Sequence, residues 1–384
     1  MTDTEIHGTC DERFGPVRDA FAANFAAGTE VGASVAVTLD GGPVVDLWAG
    51  DADDAGRPWE RDTIVNVWST TKTMAATCLL MAADRGLVDF AAPVATYWPE
   101  FAQNGKQGVL VSHVMSHQSG LSGLEPATTA QELCDWELVV DRLAAMEPWW
   151  EPGTAAGYHA VTQGFLQGEI LRRVTGVSMG AFFRDEVALP LGADFHIGLP
   201  PSEHHRVAEL IAPTGDLAAT LEATGSDIDP IAVRTFASTS SDDMVAITRT
   251  PQWREAEIPA AGGTGNARSV ARVHSALACG GSVDGIRLME PASVEVALQE
   301  QYTGIDRVMG LPMRYGMGFG LSSEAMPISP NERAFFWGGW GGSIAIIDLD
   351  ARLSIAYVMN KMAPDLLGDL RGASVALSAY LALM

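Results

Sequence analysis

Two side chains that could perform nucleophilic catalysis lie three positions apart, Ser69 and Lys72, in the segment STTK. The segment follows a strand-like stretch, TIVNVW, and opens a run that is apolar on nearly every side, TTKTMAATCLLMAADRG. Three residues make nearly one helical turn, so the hydroxyl and the amine are predicted on one face of a buried helix. Burial disfavours the ammonium form, so Lys72 could accept the serine proton. The backbone N–H of Ser69, at the helix start, could stabilise an oxyanion.

Lysine is scarce in this chain. Of the 24 basic residues only three are lysines, Lys72, Lys106 and Lys361. Lys106 lies in a polar loop and Lys361 follows the last predicted strand, where arginine would serve as well. Arginine stays protonated and cannot act as a base, so Lys72 is the position that requires an amine. The alternative for the pair is a helix-capping serine with a lysine that reaches solvent.

Three further signatures follow in order along the chain. The first is VMSHQSGL at 114–121, and the second joins EPG at 151–153 to Tyr158, His159 and Ala160. The third is WGGWGGS at 337–343, followed by the strand-like YVMN at 357–360. A Ser-x-x-Lys pair often occurs by chance, so its interpretation as a catalytic pair depends on the presence of these three further motifs.

In this order and spacing, from about residue 13 to the C-terminus, the sequence resembles the serine hydrolases of the class C β-lactamase and DD-peptidase superfamily. It is most similar to their carboxylesterase branch, the family VIII esterases. The resemblance implies that Ser69 is the acylated nucleophile, Lys72 its activating amine and Tyr158 the proton shuttle, with a phenolate favoured by the nearby ammonium. It also implies an oxyanion hole made by the backbone N–H groups of Ser69 and Trp340.

The sequence departs from the β-lactamase pattern at two positions. Ala160 replaces the Asn of Tyr-x-Asn, and Trp337 replaces the Lys of Lys-Thr-Gly. Exchanging a cation for an indole removes the partner of an anionic substrate and adds an apolar surface. We therefore expect a carboxylic ester hydrolase for small or short-chain neutral esters, with weak or no β-lactamase activity. The predicted substrate-binding residues are Trp337, Gly338, Gly339, His159, Trp149 and Trp150.

Other functions stay open at this point. Within the superfamily, the protein could be an acyltransferase or an amidase, peptidase or β-lactamase. In a different class, it could be a catalytically inactive relative that acts by binding. Retention of Ser69, Lys72 and Tyr158 together argues against the last, because a binding protein needs none of the three.

Three other motifs are interpreted as structural. GVSMG at 176–180 matches the nucleophile elbow G-x-S-x-G, but a predicted helix precedes Ser178 where the elbow needs a strand. His113 and His117 have the i, i+4 spacing of zinc ligands without the Glu of H-E-x-x-H or a third ligand. SSDD at 240–243 is typical of an Asp-rich turn. We expect no metal and no cofactor.

The helices and strands that position these residues can be predicted from the pattern of apolar residues along the chain. A helix is predicted over Arg13 to Ala27, then two strands joined at Gly41-Gly42, helices through the middle, two closing strands near FFWGGWGGSIAIIDLD and RLSIAYVMN, and a final helix from Asp365. Strands at both ends of a helical middle predict an α/β (α+β) fold. It consists of an antiparallel sheet flanked by helices, residues 10–68 and 262–384, with an inserted helical domain, 69–261. The active site is expected in the cleft between them.

The composition of the chain limits the classes of molecule that it is expected to bind. The chain has 384 residues and a formal charge of −24, which argues against nucleic acid and against an anionic membrane surface. The four cysteines are dispersed, the amino end lacks the pattern of a signal peptide, and no stretch of 18 apolar residues occurs. We expect a cytoplasmic protein whose partner is a small-molecule ester. The oligomeric state is left open.

Overall fold

The fold is built on a nine-stranded antiparallel sheet in a computed structural model that describes residues 4–214, 228–240 and 244–384. Across the sheet the strands run in the order β1-β3-β2-β9-β8-β7-β6-β5-β4. In chain order they are β1 (Ile6–Cys10), β2 (Gly32–Leu39), β3 (Gly42–Gly50), β4 (Tyr302–Ile305), β5 (Pro312–Tyr315), β6 (Gly320–Leu321), β7 (Ala334–Gly338), β8 (Ile344–Asp348) and β9 (Leu353–Met359).

Six helices of ten or more residues lie in the described parts of the chain. They are α1 (Gly15–Ala26), α2 (Thr71–Asp84), α3 (Trp136–Ala145), α4 (Thr162–Thr175), α5 (Ala267–Ala278) and α6 (Leu370–Leu381). Shorter helices and two- or three-stranded ribbons connect them. The short strands are Val65–Asn66, Thr264–Gly265 and Phe195–His196 in one ribbon, Thr128–Thr129 with Thr239–Ser240 in a second, and Ser282–Val283 with Ile286–Arg287 in a third.

The two ends of the chain meet in the middle of the sheet. β2 pairs with β9 in antiparallel register, with Val35 opposite Tyr357. β2 and β3 form a hairpin whose turn falls at Asp40 and Gly41, with φ of +50° and +84°, one residue before the predicted position. Left-handed turn residues match the twist of the strands, so two residues close the hairpin. The pairing of β2 with β3 shifts by one residue between Val37 and Thr38.

Helices cover both faces of the sheet. On one face, the first amide of α5 donates to the hydroxyl of Ser34 in β2. On the other face lie α6 and α1, where Gly372 of α6 packs against the ring of Tyr357. Strands covered on both sides carry apolar residues on both sides, and β7, β8 and β9 are buried along their whole length.

In the described residues between β3 and α5, helices and loops predominate, and α2 is one of the two longest helices. Every residue of α2 from Thr71 to Ala82 is buried, and α2 packs against α4. The all-round burial that its apolar composition predicted is therefore confirmed. The antiparallel sheet flanked by helices also confirms the predicted fold class, whereas the division into 10–68 with 262–384 and 69–261 stays a prediction.

Several strands differ from the sequence prediction. β1 and β4 to β6 were missed, because two- to five-residue segments carry too little alternation to detect. The segment FFWGGWGGSIAIIDLD, predicted as one strand, is the hairpin β7–β8, since its glycines form a turn. The last helix begins at Leu370 with Asp369 as its N-cap, and not at Asp365. No helix in the described ranges is long and apolar enough to cross a bilayer.

Candidate active site

Ser69 lies in a 3-10 turn, Trp68–Thr70, that connects the short strand Val65–Asn66 to α2. Trp68 adopts a left-handed φ of +46°, which is unfavourable for a residue with a Cβ. Two contacts hold it there: the Asn66 side chain accepts from the Trp68 N–H at 3.1 Å, and the Thr71 hydroxyl donates to the Trp68 carbonyl at 2.5 Å. The turn therefore presents Ser69 in one fixed orientation, 6% exposed.

Lys72 brings the predicted catalytic side chains together. Its Nζ lies 3.1 Å from Ser69 Oγ and 3.1 Å from Tyr158 Oη. It also donates to two backbone carbonyls, that of Ala160 at 2.6 Å and that of Ala260 at 3.0 Å. A neutral amine has two N–H groups and one lone pair, so the carbonyls use both hydrogens. The lone pair is left facing the two hydroxyls.

Burial shifts the pKa values of Lys72 and Tyr158 in opposite directions. It holds the pKa of Lys72 well below the ordinary value of 10.5. Burial also raises the pKa of Tyr158 above 10.0, an effect that the hydrogen bond with Ser69 only partly opposes. The expectation of a phenolate held by an ammonium is therefore corrected, because this site favours neutral Lys72 and a protonated Tyr158. The hydroxyls of Ser69 and Tyr158 lie in a short hydrogen bond with each other.

Tyr158 is positioned through its backbone by two other segments. Its N–H donates to the carboxylate of Asp306 at 3.0 Å, and the preceding Gly157 N–H donates to the carbonyl of His117 at 3.0 Å. Its ring packs against the rings of His117 and Trp337, with centroids 5.3 and 5.6 Å away. Tyr158 thus has little freedom to leave Ser69 and Lys72.

The backbone N–H groups of Ser69 and Trp340 have no hydrogen-bond acceptor among the residues that the structure describes. Gly339 brings the two segments together, because a Cβ at this position would lie only 2.3 Å from the Val67 carbonyl oxygen and 3.3 Å from Ser69 N. The Ser343 hydroxyl also links the two segments, donating to the Val67 carbonyl at 2.9 Å. Two free donors on neighbouring segments are what an oxyanion hole requires.

The predicted substrate-binding tryptophan and glycines lie at different depths. Trp337 is 1% exposed and sits behind Tyr158, so it does not form an open wall. At Gly338 a Cβ would lie 2.2 Å from the Leu367 carbonyl carbon. The space beside Gly338 is therefore occupied by the backbone of Leu367 and is not open to a substrate. Gly339 is the member of the set that lies beside Ser69.

His159 does not face a substrate. It is fully buried, its Nδ1–H donates to the Gly157 carbonyl at 2.6 Å, and its Nε2 accepts from the Ser119 hydroxyl at 2.7 Å and the Leu121 N–H at 3.3 Å. Burial lowers its pKa to about 3, so it stays neutral. We find it holding the 117–121 segment against the tyrosine loop.

Trp149 and Trp150 lie at the edge of an apolar cluster around Tyr158. Trp150 is 8% exposed, and its indole N–H donates to the Ala155 carbonyl at 2.9 Å. The cluster contains Trp150, Ala156, Tyr158, Ile231, Val308, Met309, Met313, Tyr315 and Trp337, with Phe236, Leu366 and Leu367 partly buried against it.

The cations beside this cluster are neutralised by carboxylates. Arg307 stacks over Trp150 and pairs with Asp229 at 2.8 Å. Arg234 stacks over Trp149 and pairs with Glu125. A paired arginine offers little attraction to an anionic ligand, so the surroundings of Tyr158 suit a neutral molecule.

Asp306 is a site residue that sequence reasoning missed. It is fully buried and accepts from the N–H groups of Tyr158, Val308 and Met309 and from the Tyr315 hydroxyl. Burial raises its pKa, and its charge in turn raises the pKa of Tyr158. The available signal was an Asp four residues before Gly310, typical of a side chain that caps its own turn.

The three motifs interpreted as structural have ordinary partners where the structure describes them. The Ser178 hydroxyl donates to the Glu257 carboxylate at 2.6 Å and caps a short helix. His117 Nδ1 accepts from the backbone N–H of His159, and His113 Nδ1 from that of Leu110. Within the described ranges no three His, Cys, Asp or Glu side chains form a group that could hold a metal ion. Residues 241–243 of the SSDD segment lie outside those ranges.

Comparison with known proteins gives consistent matches over nearly the whole chain. The sequence model of the Beta-lactamase family matches residues 17–379. The Esterase/beta-lactamase LipL of Mycobacterium tuberculosis is 40% identical over 370 residues, which is 93% of this chain and 83% of LipL.

Two crystal structures superpose closely. A family VIII carboxylesterase has a TM-score of 0.91 at 43% identity, covering 98% of this chain and 100% of its own. A penicillin-binding protein homologue from Caulobacter crescentus has a TM-score of 0.89 at 40% identity, covering 99% of this chain and 100% of its own.

Proposed function

The chain belongs to the Beta-lactamase family, as its sequence motifs predicted, and we propose that it is a serine carboxylic ester hydrolase that works through an acyl-Ser69 intermediate. One observation carries the assignment of roles. Lys72 Nζ lies 3.1 Å from both Ser69 Oγ and Tyr158 Oη while its own N–H groups are taken by two carbonyls. An amine in this setting is a base directed at the hydroxyl pair.

Acylation begins with transfer of the Ser69 proton toward Lys72, directly or through the Tyr158 hydroxyl. Ser69 Oγ forms a bond to the ester carbonyl carbon, and the carbonyl oxygen becomes an oxyanion held by the N–H groups of Ser69 and Trp340. The carbon–alkoxy bond then breaks. The leaving alkoxide receives its proton from Tyr158, which is replenished by the Lys72 ammonium, so the protein returns to its starting charge.

Deacylation repeats these steps with water. A water molecule gives a proton to the Tyr158–Lys72 pair and adds to the acyl carbonyl carbon, and the same two N–H groups hold the second oxyanion. The bond to Ser69 Oγ breaks, Ser69 takes the proton back, and the carboxylic acid leaves. A protonated Tyr158 supports this cycle, because a phenol can donate to the leaving group at once.

The proposed substrate is a small neutral ester. The partly buried Phe236, Leu366 and Leu367, which pack against the cluster around Tyr158, offer apolar surface, and the arginines at the edge of the cluster are paired with carboxylates. The buried indole of Trp337 adds no charge either. A penam or cephem carries a carboxylate that would find no partner here, so we expect slow β-lactam turnover.

We also propose a cytoplasmic location. In its support, the four cysteines are free in the described structure, as is usual for proteins of reducing compartments.

Labelling tests the nucleophile. The protein is incubated with p-nitrophenyl butyrate and, separately, with an active-serine phosphonate, and the adduct is located by mass spectrometry. We expect ester turnover, a label on Ser69, and a loss of about 10⁴- to 10⁶-fold in kcat for Ser69→Ala. A label on Ser178 would refute the assignment, and Ser178→Ala serves as the matched control with wild-type turnover.

The same preparation separates the alternatives within the family. Turnover of a penam or cephem that rivals turnover of the butyrate ester would indicate a β-lactamase. Faster release of p-nitrophenol on adding an alcohol, with formation of its butyrate ester, would indicate an acyltransferase. No label and no turnover would indicate an inactive binding relative.

A further inference from the structure

The loop that carries the Trp340 amide, Gly339–Ser343, rests directly on a buried ion cluster. Two of its glycines adopt left-handed φ, +96° at Gly341 and +130° at Gly342. A Cβ at Gly342 would lie 2.4 Å from the Asp369 carboxylate and 2.6 Å from Arg371 Nη2. Glycine lets the backbone approach this closely, but it also leaves the loop with more conformational freedom than any other residue would.

Arg371, near the start of α6, connects the cluster to the loop. Its Nη2 donates to the Gly341 carbonyl at 2.7 Å, its Nη1 to Glu30 at 3.0 Å and its Nε to Asp369 at 2.9 Å. Nη1 also reaches two further carbonyls, those of Thr29 at 3.1 Å and Lys361 at 2.8 Å. Arg371 is 7% exposed, and each of the three guanidinium nitrogens donates at least one hydrogen bond. A lysine could not reproduce this planar set of contacts.

Three of the five N–H groups of the loop, those of Gly339, Gly341 and Gly342, donate to backbone carbonyls, whereas the Trp340 N–H has no acceptor among the described residues. The Gly339 carbonyl accepts from the N–H groups of Gly342 at 3.2 Å and Gly368 at 3.4 Å. Because the peptide is planar and trans, fixing that carbonyl aims the Trp340 N–H in the opposite direction. On the other side of Trp340, the Gly341 N–H donates to the Asp365 carbonyl at 2.9 Å, and the Gly341 carbonyl accepts from both Arg371 Nη2 and the Ala363 N–H at 2.9 Å. Loss of the Arg371 contact would leave the Gly341 carbonyl with one hydrogen bond, and it would loosen the loop that carries the Trp340 N–H.

Stability alone gives little reason for the cluster. Glu30 and Asp369 are both carboxylates beside one guanidinium, and Glu30 Oε1 is buried with no partner in the described structure. Buried ion pairs can often be replaced by apolar residues with no loss of stability. What the cluster does provide is a rigid contact to a glycine loop at the site of chemistry.

We propose that Arg371, held by Glu30 and Asp369, is a positioning residue that fixes the Trp340 amide as the second oxyanion donor. The inference rests on the proposed function, because it concerns the transition state of acyl transfer at Ser69. Arg371 touches neither Ser69 nor Lys72, so its effect passes through the Gly341 carbonyl.

The test compares Arg371→Lys with the wild-type protein. We expect kcat for p-nitrophenyl butyrate to fall about 10- to 100-fold with KM changed less than about twofold, since a misaligned donor weakens only the transition state. The inhibition constant of phenylboronic acid, whose Ser69 adduct is tetrahedral, should rise by the same factor as kcat falls. Arg352→Lys, at an exposed pair with Asp40, is the matched control and should leave all three values unchanged.

Asp369→Asn covers the case in which Arg371→Lys does not fold. The single oxygen of asparagine can still accept from the Arg371 backbone N–H and cap α6, but its NH2 group cannot accept from Arg371 Nε, and the charge beside the guanidinium is lost. We expect a several-fold rise in the boronate inhibition constant that matches the fall in kcat. A purely structural role would lower the melting temperature and leave boronate binding by the folded protein unchanged, which would overturn the inference.

Wild-type labelling keeps the two proposals apart. If the phosphonate does not modify Ser69 in the wild-type protein, the proposed function fails. If it does, and both variants bind the boronate like wild type, only the role of Arg371 fails.

Discussion

At the scale of single residues, the proposed chemistry depends on the protonation state of one buried amine, that of Lys72. Lys72 has four polar neighbours, of which two are carbonyls that can only accept. This arrangement suits both the ammonium and the amine, but burial favours the amine. Lys72 can therefore take up a proton during the reaction without leaving its place.

Replacing this amine with a permanently charged group tests its role as the base. Lys72→Arg should lower kcat/KM about 10²- to 10⁴-fold at every pH from 5 to 10, because a guanidinium cannot accept the Ser69 proton. In the wild-type protein, the acid limb of the profile, where Lys72 becomes protonated, should lie well below pH 10.5, because burial lowers the pKa of Lys72. The measurement is kcat/KM for a p-nitrophenyl ester against pH.

A different pH profile would contradict the lowered pKa of Lys72. A wild-type profile that climbs tenfold per pH unit up to about pH 10 would mean that Lys72 titrates like a lysine in water. Lys361→Arg is the control, since Lys361 is outside the site and donates only to the Gly28 carbonyl.

At the scale of elements, three segments that are distant in sequence hold the proposed catalytic residues. The 3-10 turn before α2 presents Ser69, the loop around Tyr158 is held by Asp306 and His117, and the β7–β8 turn supplies the Trp340 amide. Each is irregular backbone anchored to a helix or strand. Sites built in this way combine close approach with rigidity.

Asp306 connects the Tyr158 loop to the 306–310 segment, and its charge can be removed with little change of shape. Asp306→Asn keeps an oxygen for the N–H groups of Tyr158, Val308 and Met309. Without the negative charge the pKa of Tyr158 should fall, because the carboxylate of Asp306 contributes to raising it. The alkaline limb of kcat/KM, where Tyr158 loses its proton, should therefore move to lower pH.

Tyr315→Phe is the matched control for this prediction. It removes the hydroxyl that donates to Asp306 at 2.8 Å and leaves the carboxylate charged. Its alkaline limb should stay where the wild-type limb lies. An Asp306→Asn profile that coincides with wild type would contradict an electrostatic role for Asp306.

At the scale of the whole molecule, the N-terminal and C-terminal segments are joined at the sheet and again at the ion cluster. β2 pairs with β9, and Glu30, just before β2, pairs with Arg371 of α6. Burial raises the pKa of Glu30 from 4.5 to about 8, more than its guanidinium partner lowers it. Folding therefore favours the protonated form of the Glu30 carboxyl group at this junction.

The effect on stability follows from the sign of this shift. The contribution of Glu30 is fully present below the unfolded pKa of 4.5 and is lost as pH rises through about 8. Glu30→Gln cannot titrate, so its melting temperature should match wild type at pH 5 and exceed it by about 2–4 °C or more at pH 9. Thermal unfolding across this pH range measures the difference.

An exposed glutamate provides the control. Glu186→Gln removes a half-exposed carboxylate that pairs with Arg85 and should give no pH-dependent gain. A Glu30→Gln protein that is less stable than wild type at pH 9 would show that the Glu30 charge supports the junction.

Much of the site could be predicted from residue type and spacing. Ser69 and Lys72 stand one turn apart on a helix whose apolar composition already implied full burial, and Tyr158 and the WGGWGGS loop followed from family motifs. These features are local: a helical period, a run of apolar residues or a short motif contains the whole signal. The predicted antiparallel sheet flanked by helices is likewise confirmed.

Other features were decided only by the tertiary structure. Asp306, Glu30 and Arg371 reach the site through contacts between segments 148 to 341 positions apart. How deeply a side chain is buried also depends on the tertiary structure. His159 and Trp337 were predicted to face the substrate, but both are buried behind Tyr158. Protonation also depends on the tertiary structure, because desolvation depends on everything packed around a group. Desolvation lowers the pKa of Lys72, which suits its proposed role as proton acceptor, and raises the pKa of Tyr158.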